Sequence, residues 1–220
     1  MLFGALTLGS TSMPIDVLDD ESLLKATGIL ADRDPDLASI VQRYGSPPMW
    51  SRPPGFATLI RIILEQQVSL SSARAAYNRL NEATGNVSPT SFLKLNDKEL
   101  KSIGFSRQKT RYGRQLARGI IDGSVDLEAL EGYHDEEARS RLMATKGIGR
   151  WSADIYLLMA LRRPDVWPHS DIALIIAVTR IKELKSHPSG REWDAIGEAW
   201  RPWRSVAARL VWFEYLGGRP

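Results

Sequence analysis

Asp171 stands directly before an apolar stretch, Ile172 to Ile181. A carboxylate in that place accepts the free amides of a helix start. A carboxylate fixed so rigidly is also a candidate catalytic acid, able to orient or deprotonate a water. On local sequence alone capping is the ordinary role. Asp165 and Asp154 read more simply as a loop acid and a helix-surface acid. Twenty-odd residues upstream runs Leu142-Met143-Ala144-Thr145-Lys146-Gly147-Ile148-Gly149-Arg150-Trp151-Ser152-Ala153. One helix is expected to end near Thr145 and another to start near Gly149. Glycines in such a turn permit unusual φ angles and let another backbone come close. The unpaired amides of the second helix, with its dipole, make a ready anion site. Lys146 and Arg150 add charge, and Ile148 between the glycines packs down. A lone Gly-x-Gly is more often a plain helix–helix turn.

The elements that must hold these residues read as helices throughout. Asp34-Pro35 opens one and Gly45 closes it. Phe56 to Gln67 is nearly continuous apolar sequence and reads as a buried helix. Ser71 or Ser72 caps the next, through about Ala83. Ser88-Pro89 and Asn96-Asp97 start two short ones, and Ser106 caps a basic helix to about Ile121. His134 to Met143 and Gly149 to Leu161 flank the Gly-rich turn. Asp171 to Ile181 and Pro202 to Tyr215 complete roughly ten helices. No segment alternates as a strand with hairpin signals around it. The expected fold class is all-α.

Composition narrows the chemistry. The chain has 220 residues, 43% of them hydrophobic, enough for one compact domain or two small interlocked ones. It contains no cysteine, which excludes disulfides, thiolate zinc and an iron–sulfur cluster. No stretch is long and apolar enough to span a bilayer, and the start lacks the basic leader of a signal peptide. Net charge is +3. Lys101, Arg107, Lys109, Arg111, Arg114 and Arg118 lie in a run free of acids. Such a run either neutralises phosphates or is a solvated helix face.

Lys146-Gly147-Ile148-Gly149-Arg150-Trp151-Ser152-Ala153 resembles the hairpin of the helix-hairpin-helix (HhH-GPD) DNA glycosylase superfamily. Arg163 to Asp171 is similar to the loop and essential aspartate that follow it there. Ile63-Leu64-Glu65-Gln66-Gln67-Val68-Ser69 resembles the segment that meets the lesion. Trp200-Arg201-Pro202-Trp203-Arg204-Ser205 with Trp212 is similar to the C-terminal motif of the 3-methyladenine DNA glycosylase II branch. The motifs span roughly residues 35 to 215, without room for that branch's N-terminal β-rich domain. The resemblance implies two interlocked helical subdomains with a DNA cleft between them. A helical barrel at about 57–165 would carry the hairpin (142–153). The second subdomain would combine about 18–56 with 166–220, after a loosely ordered segment 1–17.

The resemblance also implies roles. Asp171 becomes the catalytic carboxylate, stabilising positive charge on the sugar as the glycosidic bond breaks. Trp151 stands where strand-nicking relatives carry a lysine that forms a Schiff base. An indole cannot, so a monofunctional enzyme leaving an abasic site is expected. Trp212 is the expected wall of the base pocket, with Trp151, Phe56, Trp50 and Tyr156 beside it, though spacing alone suits the last three better to the core. An aromatic face attracts cationic alkylated purines such as 3-methyladenine and 7-methylguanine. Ile155 replaces an aromatic pocket residue. Gln67 would fill the gap left by the flipped nucleotide. Gln66, Lys146, Gly147, Ile148, Gly149, Arg150 and Ser152 would bind DNA. No cofactor is required. Carbonyls of Met143, Thr145 and Ile148 would hold Na+ or K+ bridging to phosphate. The expected partner is damaged double-stranded DNA, bound by a monomer away from membranes. The location would be the bacterial cytoplasm at the nucleoid, or a eukaryotic nucleus. Another lesion on the same fold, or lesion binding without chemistry, stay open as alternatives.

Overall fold

A computed structural model describes residues 17–219, so the expectation for segment 1–17 lies outside them apart from Val17. The described residues form twelve α-helices, one short 3-10 turn and no strand. The order is α1 (Asp20–Arg33), α2 (Pro35–Tyr44), α3 (Phe56–Glu65), α4 (Leu70–Thr84), α5 (Pro89–Lys94), α6 (Asp97–Ile103) and α7 (Arg107–Ile121). The 3-10 turn at Ala129–Gly132 follows, then α8 (Asp135–Ala144), α9 (Arg150–Met159), α10 (Ile172–Ile181), α11 (Arg191–Glu198) and α12 (Arg204–Tyr215). The all-α reading holds.

Two helices go beyond the sequence expectation. The first, α1, starts with a reciprocal cap: Asp19 accepts the Ser22 amide at 2.8 Å and the Ser22 hydroxyl accepts the Asp19 amide at 2.9 Å. Asp34 then closes α1 and opens α2. The other, α11, has no side-chain cap. Tertiary packing holds it: Trp193 stacks on Trp167 at 4.5 Å, and Trp200 meets Trp167 edge-on at 5.1 Å. Boundaries also shift. The cap of α4 is Ser69, not Ser71 or Ser72, because α3 stops at Glu65 and leaves a turn before it.

Helix contacts fall into two groups. In the first, α3 packs against α4, α7 and α9, α5 and α6 lie on α7, and α8 pairs with α9. Helix α3 can occupy this centre because Leu59, Ile60, Ile62, Ile63 and Leu64 are all buried. In the second group, α12 packs against α1, α2 and α10. Arg209 on α12 ties the groups together. Its buried guanidinium donates to the carbonyls of Met49 (2.8 Å), Leu158 (2.8 Å) and Ser205 (3.0 Å). Burial without a carboxylate partner lowers its pKa to about 9, so it stays positive at neutral pH.

Candidate active site

A cleft of about 1680 Å³ opens where the two groups meet. That exceeds the roughly 300–1,000 Å³ of ordinary small-molecule pockets. From one side it takes residues of the α3–α4 turn, the start of α7 and the α8–α9 hairpin. From the other it takes Trp50, Asp171 and Trp212.

Asp171 is only 8% exposed and lies on this cleft. It is the N-cap of α10: Oδ1 accepts the Leu174 amide at 2.9 Å. Two indoles complete its shell. Trp151 Nε1–H donates to Oδ2 at 2.9 Å, and Trp212 Nε1–H donates to Oδ1 at 3.2 Å. Three neutral donors converge on one carboxylate, which fixes the orientation of both its oxygens. Capping and a chemical role are therefore compatible in the same side chain.

The expected pocket residues separate. Trp50, Trp151 and Trp212 line the cleft. Phe56 does not: its buried ring packs edge-on against Phe92 at 5.8 Å. Tyr156 is also internal, its hydroxyl accepting the Gly55 amide at 2.8 Å. Of the seven tryptophans, Trp167, Trp193 and Trp200 form the structural cluster that seats α11. The arginines of the C-terminal motif are structural too. Arg201 and Arg204 both grip Asp165, each at 2.8 Å. Asp154 is not a surface acid but fully buried, bonded to Arg139 Nε at 2.6 Å.

The hairpin is built from α8, its turn and α9. Gly147 has φ +97°, and a Cβ there would collide with the Tyr112 ring of α7. Gly149, by contrast, faces open space, and as the N-cap of α9 it supplies no capping side chain. The first-turn amides are thus left for an outside acceptor. Lys146 and Arg150 are exposed beside them, and Ile148 is buried. Ser152 departs from expectation: it is buried, and its hydroxyl accepts the Gln66 amide N–H at 2.9 Å. The same Gln66 Nε2 donates to the Gly147 carbonyl at 2.9 Å. Gln66 and Ser152, both on the cleft lining, therefore fasten the hairpin to the α3–α4 turn. Among the described residues no cluster of acidic, histidine or cysteine side chains could hold a metal. Carbonyls alone could hold a monovalent ion at the turn, where that of Thr145 already accepts the Ile148 amide at 3.1 Å.

Strained backbone gathers around the cleft. Trp50, Gln67 and Ser170 adopt left-handed φ of 47°, 57° and 60°. Such conformations in non-glycine residues cluster at functional sites. Gln67 is exposed at the rim, with Val68 and Leu70 beside it. The basic run divides: Lys109 and Arg114 turn inward to carbonyls and to Asp97, while Lys101, Arg107, Arg111 and Arg118 stay exposed.

Sequence reasoning passed over several cleft residues. Glu65 is buried and held by Arg52 through two bonds of 2.8 and 2.9 Å, with Arg61 at 3.3 Å. A carboxylate ending a largely apolar helix, one turn after Arg61, was a readable signal, since buried charges are paired. Lys109 was visible only as one member of the basic run, and Tyr112 carried no signal.

A profile described as "HhH-GPD superfamily base excision DNA repair protein" matches residues 60–202. The chain belongs to the HhH-GPD superfamily. Among its members, DNA-3-methyladenine glycosylase 1 of Schizosaccharomyces pombe is 27% identical over 91% of this chain and 92% of that one. A putative DNA-3-methyladenine glycosylase of Bacillus subtilis is 27% identical over 80% of this chain, which spans only 64% of that protein's length. The structure of the S. pombe 3-methyladenine DNA glycosylase in complex with abasic DNA superposes with a TM-score of 0.81, covering 86% of this chain and 95% of that one. A DNA-3-methyladenine glycosidase structure from Bacillus halodurans gives 0.70 at 26% identity, covering 89% and 90%. In sequence and in fold the chain is thus a member of a base excision DNA repair superfamily. No helix among its described residues is long and apolar enough to cross a membrane.

Proposed function

We propose that the protein is a monofunctional DNA glycosylase for alkylated purines. It would flip a 3-methyladenine- or 7-methylguanine-type base from duplex DNA and hydrolyse its N-glycosidic bond. The observation that carries this reading is the Asp171 shell: a carboxylate on the cleft held by Trp151 and Trp212, with an indole where a strand-nicking enzyme needs an amine. The names of the similar proteins point to the same substrate class.

In this mechanism the C1′–N bond lengthens and positive charge grows on the sugar. Asp171 stabilises it and orients a water, whose oxygen bonds C1′ as the base departs and whose proton passes to solvent or to the carboxylate. A cationic alkylpurine leaves as a neutral base, so no acid need protonate it first. Ring faces of the cleft tryptophans attract that cation by about 0.5–2 kcal/mol. Gln67 enters the vacated stack, which offsets part of the few kcal/mol lost on flipping. The α9 amides with Lys146 and Arg150 bind phosphate without reading sequence. A monovalent cation on the Met143, Thr145 and Ile148 carbonyls would add charge at that phosphate. The enzyme acts as a monomer.

The direct test is a panel of duplexes carrying one 7-methylguanine, 3-methyladenine analogue, mismatched thymine, uracil or oxidised guanine, followed by alkali. Cleavage of the alkylpurine duplexes supports the reading. Cleavage confined to mismatched, uracil or oxidised bases replaces it with another lesion class.

A further inference from the structure

We propose that Lys109, on α7, is a positioning residue for base flipping, acting through the Gln66–Gln67 turn. This rests on the reading of Gln67 as the side chain that enters the base stack. Lys109 does not face solvent as a phosphate-binding lysine would. Its ammonium is half-buried and donates to the carbonyls of Leu64 at 2.8 Å and Gln66 at 2.9 Å. These lie at the C-terminal end of α3, where a cation also meets the negative end of the helix dipole. Burial lowers the ammonium pKa from its ordinary value.

Gln67 follows immediately, with its backbone at φ +57° and its side chain exposed. A left-handed glutamine persists only if its neighbours over-determine it. Two clamps do so. Lys109 holds the carbonyl of Gln66 from one side. The Gln66 side chain holds the hairpin through Gly147 and Ser152 from the other. The helix that carries Lys109 also carries Tyr112, whose ring abuts Gly147. One face of α7 thus fixes the flipping side chain and the phosphate-binding hairpin in a single register. Removing Lys109 releases Gln67 from that register while leaving Asp171 and both indoles untouched.

The variant is Lys109→Met, which keeps the apolar stem and removes both donations. The first readout needs no base release. A duplex carries 2-aminopurine beside a tetrahydrofuran abasic analogue, and its fluorescence reports insertion into the stack. Wild type changes the signal on binding; Lys109→Met is expected to lose at least half of that change. Lys109→Arg, which can still reach a carbonyl, is expected to restore most of it. The second readout is single-turnover release of 7-methylguanine. Lys109→Met is expected to slow release about tenfold or more from a paired duplex, and less than about threefold when the lesion faces an abasic gap and is already unpaired. A variant that folds poorly would lose both substrates equally, which melting temperature and the Lys109→Arg variant identify. An unchanged fluorescence response, or equal slowing on both substrates in a folded variant, overturns the proposal. If wild type gives the fluorescence change but releases no alkylpurine, the substrate assignment fails and the role of Lys109 stands on the first readout.

Discussion

At the scale of single residues, Asp171 shows how little free capacity a fixed carboxylate keeps. One oxygen accepts an amide and an indole N–H, and the other accepts a second indole. The position of Asp171 was legible because a helix start and a Gly-rich hairpin mark it in the sequence. Its indole donors were not, since Trp151 and Trp212 lie far from it along the chain and spacing does not say where a ring N–H points. Phe56 and Ser152 were assigned outward for the same reason, and packing turns both inward. The residue-level prediction concerns Trp151. With no amine at that position, borohydride is expected to trap no covalent complex with lesion or abasic DNA. Denaturing electrophoresis checks this, and an efficiently trapped adduct would refute hydrolysis without strand nicking.

At the scale of elements, capping residues made most helices readable. Ser88, Asn96, Ser106 and Asp171 mark their starts where expected. The helix α11 escaped because tertiary stacking of Trp193 holds it without a cap. A similar long-range bond joins α9 to α3, where Tyr156 accepts the Gly55 amide. Burial pushes the Tyr156 hydroxyl up to about 12. An unfolded tyrosine ionises near 10. Stability from this group is full below about pH 10 and falls as pH climbs toward about 12, because only the unfolded chain releases the proton in that window. Tyr156→Phe is expected to cost about 1 kcal/mol at neutral pH through the lost hydrogen bond. It is also expected to flatten the alkaline fall by up to about 1.4 kcal/mol per pH unit. Urea titrations at pH 8, 10 and 11 measure both. An unchanged alkaline slope would show that Tyr156 ionises no differently in the fold.

At the scale of the molecule, two helix groups meet at the cleft, and Arg209 crosses between them to hold the Met49 carbonyl beside Trp50. That buried arginine was not legible: its sequence surroundings read as an apolar helix, and three carbonyls from separate segments satisfy it. Phosphate contacts by the hairpin and the exposed part of the basic run should release counterions. For three to four phosphates, duplex affinity is expected to fall roughly 40- to 150-fold from about 50 to 200 mM salt. Fluorescence anisotropy checks the slope, and a flat response would remove these surfaces from DNA binding.

The measurement that tests the central claim most directly compares wild type with Asp171→Asn on a duplex carrying one 7-methylguanine. Asparagine keeps one acceptor oxygen for the Leu174 amide but sets its amide against an indole N–H, which costs about 1–3 kcal/mol of stability. Release of the base from the bound complex, counted as alkali-labile sites, is expected in wild type and absent in Asp171→Asn, with duplex affinity within about threefold by anisotropy. Base release by Asp171→Asn at the wild-type rate would contradict the account.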